Sequence, residues 1–425
     1  MAQFSKKERL LASMLSNMPF LKWLAKYFYS YFCYLVYRKS NNLIICANRL
    51  EINRVLTNIN KEDFGGYYDH PTMRNGKVIG MIPSSDTNKG ICRTTTADLY
   101  VADISDGCNY IACATKTINW QQGCRAIWIN DDSFIFNDYD STGSQYVSKV
   151  FSLKEKDVVR IYNMPVQDLY DKSYFLSVNV DRISLFHPEY GYMSKGRLCE
   201  GKILDIDHDG IWRIELESGD CSILFSIRQV LDVNPNPEFN FANHILNHIM
   251  ISPDGDKFIF LHRYFIKGVR HERLMVYDYN QLRVISNEGY VSHCYWLDNC
   301  RIVSYLRHNG VNAYYIINVM TGEYEELSIL KSLNMGDGHP SCFKNWMIFD
   351  SYPDKSRMQN LVLYNIDTGK YYKLIEIFHP MKFFGNTRCD LHPRFSDSGN
   401  SITFDSVFEG KRHQYYIDLR NFLSL

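Results

Sequence analysis

The stretch HIMISPDGDKFIFLH, residues 248–262, decides the fold. Two short apolar runs flank Ser252-Pro253-Asp254-Gly255, whose residue types favour a tight turn, so the stretch reads as a β-hairpin opened by a histidine. His392-Pro-Arg-Phe-Ser-Asp-Ser-Gly399, running into Ser401–Ser406, repeats it, with a Ser four and a Gly seven residues after the histidine in both copies. Shorter versions start at His339 (before Trp346–Ser351), at His293 (before Arg301–Leu306) and at His70 (before Lys77–Met81). From His248 onward the leading histidines lie 45, 46 and 53 residues apart, the spacing of one four-stranded propeller blade.

Working outward, seven such units fit between residue 41 and the end of the chain. Each later unit has a tyrosine-rich strand ending near an acidic residue and a turn, as in Met275–Asp278 and Leu361–Asn365. The chain is therefore expected to be all-β: a seven-bladed β-propeller over residues 41–425, with an N-terminal helical extension over residues 1–40. The final unit stops at Tyr415–Leu419, one strand short. Leu43–Ile52 is a strand-like run and is expected to supply that strand and close the ring.

Composition narrows the function. The 425 residues carry 47 basic and 47 acidic side chains, with no basic stripe, which argues against nucleic acid as a partner. The 31 tyrosines favour strands. The 12 cysteines include no CxxC pair, so zinc-finger and redox spacings are absent, and thiols kept reduced point to a cytoplasmic protein. Met1–Arg9 is charged but leads into no signal-peptide pattern. In Phe20–Arg38 the uncharged part, Tyr27–Tyr37, is too short to cross a bilayer. As a helix it places Lys22, Lys26 and Ser30 on one face. Two roles are open: packing on the propeller, or peripheral contact with the inner membrane through residues 20–38.

The histidines carry the chemistry. The first strand of a blade lines the central channel, so the leading histidines are expected to converge on one mouth. His262 and Asp350 flank their turns from the other side. Imidazoles and carboxylates gathered there can bind a divalent metal or supply a general base. The bland alternative is that each histidine hydrogen-bonds a neighbouring blade. Arg263, Arg388 and Arg394 can fork onto carboxylates, which suits an acidic sugar; singly, each could be an ordinary ion pair. Gln122 stands at the matching position of the second unit. Trp120, Trp128, Tyr264 and Trp296 read first as inter-blade core and second as sugar platforms.

The C-terminal half, residues 245–419, resembles oligogalacturonate lyase and the TolB-like propellers with SPDG turns. The resemblance implies a catalytic-site histidine at His262 and a first metal ligand at His293. Thr387-Arg388-Cys389-Asp390-Leu391-His392 resembles the last-blade segment that carries a Gln and two His ligands. His392 matches the second histidine, Asp390 replaces the first, and Thr387 replaces the Gln. The expectation is β-elimination on a uronate-containing oligo- or polysaccharide, with a metal such as Mn²⁺ on His293, Asp390 and His392. His262 would be the base, Arg263 would orient the substrate, and His248, His339, Arg388, Arg394 and Gln122 would bind it. The alternative is a non-catalytic glycan-binding or scaffold protein of surface-polysaccharide biosynthesis, docked at the inner membrane.

Overall fold

Seven antiparallel sheets follow one another along the chain, each built by consecutive strands apart from one short N-terminal strand added to each of the last two. The computed structural model describes residues 19–48, 50–57, 60–194, 205–333 and 335–423. The charged start Met1–Arg9 lies outside them, as do Lys195–Arg197 and Ile203–Leu204. The sheets span Met73–Thr115, Ile127–Tyr162, Asp168–Ser226, Asn243–Ser286, Val291–Glu326, Ser341–Phe378 and Arg394–Asp418, here called blades one to seven. The seven-bladed propeller expected from the repeat is what forms, with a helix, Pro19–Tyr37, ahead of it.

Ring closure differs in detail from the expectation. Leu43–Ile45 pairs with Ile375–Ile377 and becomes a fifth, outer strand of blade six. The missing strand of blade seven is Asn53–Arg54, paired with Tyr416 and Tyr415, and Val55 N–H extends it to the Gln414 carbonyl at 3.0 Å. The run expected to complete the last blade, Leu43–Ile52, thus pairs with blade six instead, and the stretch just after it, Asn53–Arg54, closes blade seven.

Alternating residues of the strands bury an apolar face against the next blade. Ile245, Leu246, Phe258 and Phe260 are buried in blade four, and Ile302, Leu306 and Ile317 in blade five. Full burial of such side chains contributes about 1.5–3 kcal/mol each. Trp128 and Trp296 belong to this packing, since each indole N–H reaches a carbonyl on the preceding blade, Thr72 at 3.0 Å and Met250 at 2.9 Å. The contact between blades seven and one is more polar. There Gln414 bridges Tyr100 and Thr72, and Thr72 meets Thr403 at 2.7 Å.

Candidate functional site

His339 and His392 stand two residues before their inner strands, His248 and His293 stand within theirs, and the backbone there is irregular. In blades four and five the register slips between Asn247 and Met250 and between Val291 and Cys294. Such bulges re-aim side chains. His248 and His392 adopt left-handed backbone, φ 51° and 45°, a conformation costly for a residue with a Cβ and held only by its surroundings. The result is a cluster on the propeller axis. The His293 and His339 rings are 4.0 Å apart, and those of His339 and His392 are 4.3 Å apart.

One nitrogen of each imidazole is fixed from behind by oxygen. His339 Nδ1 lies 2.9 and 3.1 Å from the two Asp350 oxygens. His293 Nδ1 lies 3.1 Å from Asp337 Oδ1, and His392 Nδ1 donates to the Gly66 carbonyl at 3.0 Å. His248 Nδ1 meets the Tyr67 hydroxyl at 3.1 Å. This arrangement sets the tautomer of a metal-binding or proton-accepting imidazole. The Nε2 atoms of His248 and His392 are buried with no hydrogen-bond partner among the described residues. Burial pushes both far below the usual imidazole range, so they are neutral at pH 7 and offer lone pairs. Burial, helped by the neighbouring His339, also lowers His293. At His339 burial works the same way, but the Asp350 carboxylate overrides it and raises the pKa.

Ligand atoms of His339, Asp390 and His392 all lie within 4.8 Å of one another, a group that could hold a metal ion. His339 thus joins Asp390 and His392 in the tightest grouping, with His293 beside it. A neutral imidazole at His392, a second at His339 once it has released its proton, and a carboxylate fit a divalent transition metal. Asp390 carries a further commitment: both its oxygens accept from Arg388, at 2.6 and 2.7 Å. Burial would keep its carboxyl protonated, but Arg388 wins and holds it far below the usual range. The Arg388 guanidinium also lies 4.4 Å over the Tyr352 ring.

Several expected residues stand elsewhere. His262 is fully buried and faces the elements before blade four instead of the axis. Arg273 Nε donates to its Nδ1 at 3.0 Å, and its Nε2 lies 2.9 Å from His244 Nδ1. His244 Nε2 in turn lies 2.9 Å from the Phe239 carbonyl. That chain uses both His262 nitrogens and leaves no lone pair for a base. The cause is register: His262 pairs with Leu246 in the regular ladder, while His248 lies in the bulge that turns toward the axis.

Arg394 is likewise buried, donating to the His392 carbonyl at 2.7 Å and to Asp405 at 3.0 Å, and it faces no open mouth. Gln122 holds the Tyr190 carbonyl. In blade two the left-handed position comparable to His248 is Arg125, φ 56°, three before Trp128 as His293 is three before Trp296, with both Asp69 oxygens within 3.0 Å. His70 pairs with Asp168 at 3.0 Å, outside the cluster. The Thr387 hydroxyl caps the local turn through Phe384. Arg263 donates to Glu272 at 2.8 Å, and its Nη1 is buried without a partner among the described residues.

The residues missed from sequence are Tyr67 and Tyr68. They project from a segment that runs past blade seven, where Gly65 and Gly66 N–H groups bind the Asp405 carboxylate at 2.8 and 3.3 Å. A Cβ on Gly65 would stand 2.0 Å from Arg394 Nη1, so glycine is required there. The Tyr67 ring lies 5.4 Å from His248 and 5.1 Å from His392, and Tyr68 Oη donates to the Cys294 carbonyl at 2.9 Å. The two rings fill the axis. The cavity left beside them is about 10 Å³, room for about one water. A hollow of about 530 Å³ starts at Tyr352, which touches His339 from outside at 5.7 Å, and continues past Ser351, Lys373 and Glu376 to Lys39. Their signal in the sequence was only adjacency to Asp69-His70.

No family model matches the chain, and no curated protein does. Among solved structures, an oligogalacturonate lyase from Vibrio parahaemolyticus aligns with a TM-score of 0.58 and 15% identity, over 89% of this chain and 96% of that one. An oligogalacturonate lyase in complex with manganese gives the same TM-score and identity, over 90% of this chain and 97% of that one. What the chain shares with these lyases at that identity is the whole seven-bladed propeller, as its repeated hairpin led one to expect.

Proposed function

We propose that the protein is a carbohydrate-active propeller that cleaves a uronate-containing oligo- or polysaccharide by β-elimination, assisted by a divalent metal. The observation that carries this reading is the convergence of His248, His293, His339 and His392 on the axis, each oriented by an oxygen behind it. The likeness in fold to a lyase crystallised with manganese supports Mn²⁺ as the ion. His339, Asp390 and His392 would hold it, with His293 beside them. When bound, a divalent cation withdraws charge from the uronate carboxylate and so acidifies the proton at C5.

The remaining roles fall to side chains of the chain. His248 Nε2, neutral and unpartnered, takes the C5 proton, a role moved here from His262. The electron pair forms the C4–C5 double bond, the C4–O bond breaks, the departing oxygen takes a proton from water, and His248 returns its proton to the hydroxide left behind. Tyr67 on Nδ1 keeps the His248 ring aimed. Arg263, whose Nε is held by Glu272, keeps Nη1 free beside Tyr190, the ring that meets His248, and this atom binds a carboxylate oxygen. Substrate enters from the hollow at Tyr352, and Tyr67 and Tyr68 move to admit the reacting ring.

A second reading, a non-catalytic glycan-binding or scaffold protein, is favoured by the full engagement of Asp390 with Arg388. The test is absorbance of the unsaturated product over a panel of acidic glycans with Mn²⁺, beside metal analysis of the purified protein. Product from wild type and none from His248→Ala supports the lyase. No product and no bindable divalent ion refutes it, and retention of an acidic glycan under those conditions supports the second reading.

A further inference from the structure

The N-terminal helix Pro19–Tyr37 is docked with the less expected of its faces. At 100° per residue, Trp23, Lys26, Tyr27, Ser30, Cys33 and Tyr34 form one side. That side meets the propeller: Trp23 and Tyr27 pack on Phe384 at 6.1 and 5.3 Å, Tyr34 packs on Phe378 at 5.5 Å, and Cys33 is buried. The opposite side holds Leu21, Phe28, Phe32, Leu35 and Val36. All are exposed, Phe28 at 63% and Phe32 at 66%. An amphipathic helix on a globular protein normally turns its aliphatic stripe inward. Here the mixed aromatic and polar side is inward, and the aliphatic and phenylalanine stripe is left outward.

Charge says what chemistry would cover that stripe. The sequence has no acidic residue between Glu8 and Glu51. Lys22 in the first turns and Arg38 just past the end are both exposed and bracket the stripe. Apolar side chains between cations, without carboxylates, match the boundary of a lipid layer with anionic headgroups. No helix among the described residues is long and apolar enough to cross a membrane, so this helix would lie in the surface plane.

We propose that the Leu21–Val36 stripe is a docking surface for an anionic lipid membrane. The helix packs on the loop that leads to Arg388 and Asp390, and Lys39, just beyond it, pairs with Glu376 at the hollow. Docking therefore holds the hollow at Tyr352 close to the lipid surface. The inference stands whether or not the protein is a lyase.

The experiment is co-sedimentation of the full-length protein with vesicles of phosphatidylcholine, alone or with a third phosphatidylglycerol. Wild type is expected to pellet with the mixed vesicles. The double variant Phe28→Glu/Phe32→Glu is expected to lose at least tenfold in partitioning while keeping its thermal melt, since both side chains are exposed. Lys22→Glu/Arg38→Glu should lose binding to the mixed vesicles only. Wild type left in the supernatant with both compositions overturns the proposal. So does a wild-type dimer in light scattering that Phe28→Glu/Phe32→Glu dissolves without any change in lipid binding, because the stripe would then be an interface between copies.

Discussion

Replacing Asp350 by Asn should weaken metal binding without unfolding the ring. Asp350 is buried between the inner strands of blades six and seven. Its carboxylate accepts the His339 amide at 2.7 Å, His339 Nδ1 at 2.9 Å and the His392 amide at 3.1 Å. One side group thus orients two of the proposed ligands. Asparagine keeps one accepting oxygen and turns an NH₂ group toward at least one donor. Leaving that donor unsatisfied costs about 1–3 kcal/mol of stability. Losing the carboxylate behind a liganding imidazole typically costs about 10–100-fold in metal affinity, which is about 1.4–2.7 kcal/mol. Titration calorimetry with Mn²⁺, and melts with and without it, read the two effects separately. Asp337→Asn is the matched comparison, because Asp337 stands behind His293. If His339 is the ligand, Asp350→Asn weakens binding and Asp337→Asn leaves it nearly unchanged. Equal metal affinity in wild type and Asp350→Asn refutes the reasoning, and the opposite ranking moves the ligand to His293.

His262→Leu should cost about 2–4 kcal/mol in a denaturant melt through the broken Arg273–His262–His244 chain, because it strands two buried polar partners; metal affinity should be unchanged, and a loss of it would contradict the assignment. The same pair should make the fold acid-sensitive. Burial holds His244 at about 4, against 6.5 when unfolded, and pushes His262 well below the same unfolded value. Their contribution is therefore complete above pH 6.5 and is lost as pH falls, by about 2 kcal/mol for His244 at pH 5. Carbon-13 imidazole NMR should show neither ring titrating between pH 7.5 and 5. Truncation before Asn42 should leave the ring closed, whereas truncation before Asn53 should leave blade seven closed though blade six loses its outer strand, and truncation before Asn60 should cost about 5 kcal/mol more, from roughly three hydrogen bonds and the buried Leu56, and expose blade seven to protease. Equal protease resistance of the last two truncations would mean that Asn53–Val55 does not close the ring.

The blade repeat was legible because its signals are local: turn residues, strand alternation and a fixed step between hairpins. Seven blades, the innermost hairpins that carry the leading histidines, and a helix ahead of the ring all followed from those signals. The sequence could not rank the histidines. His248 and His262 look equivalent around one turn, and a bulge of one residue sends the first to the axis and the second between elements. Tertiary structure also decided the split closure through Leu43–Ile45 and Asn53–Arg54, because two candidate strands can be told apart only by the edges they meet. It brought Tyr67 and Tyr68 across the axis, and it placed Asp350 and Asp337 behind their imidazoles. Apart from the His339–Asp350 pair within one hairpin, those contacts join residues far apart in sequence, and hydrogen-bond partnership and burial, which set the protonation of each histidine, exist only once the ring has closed.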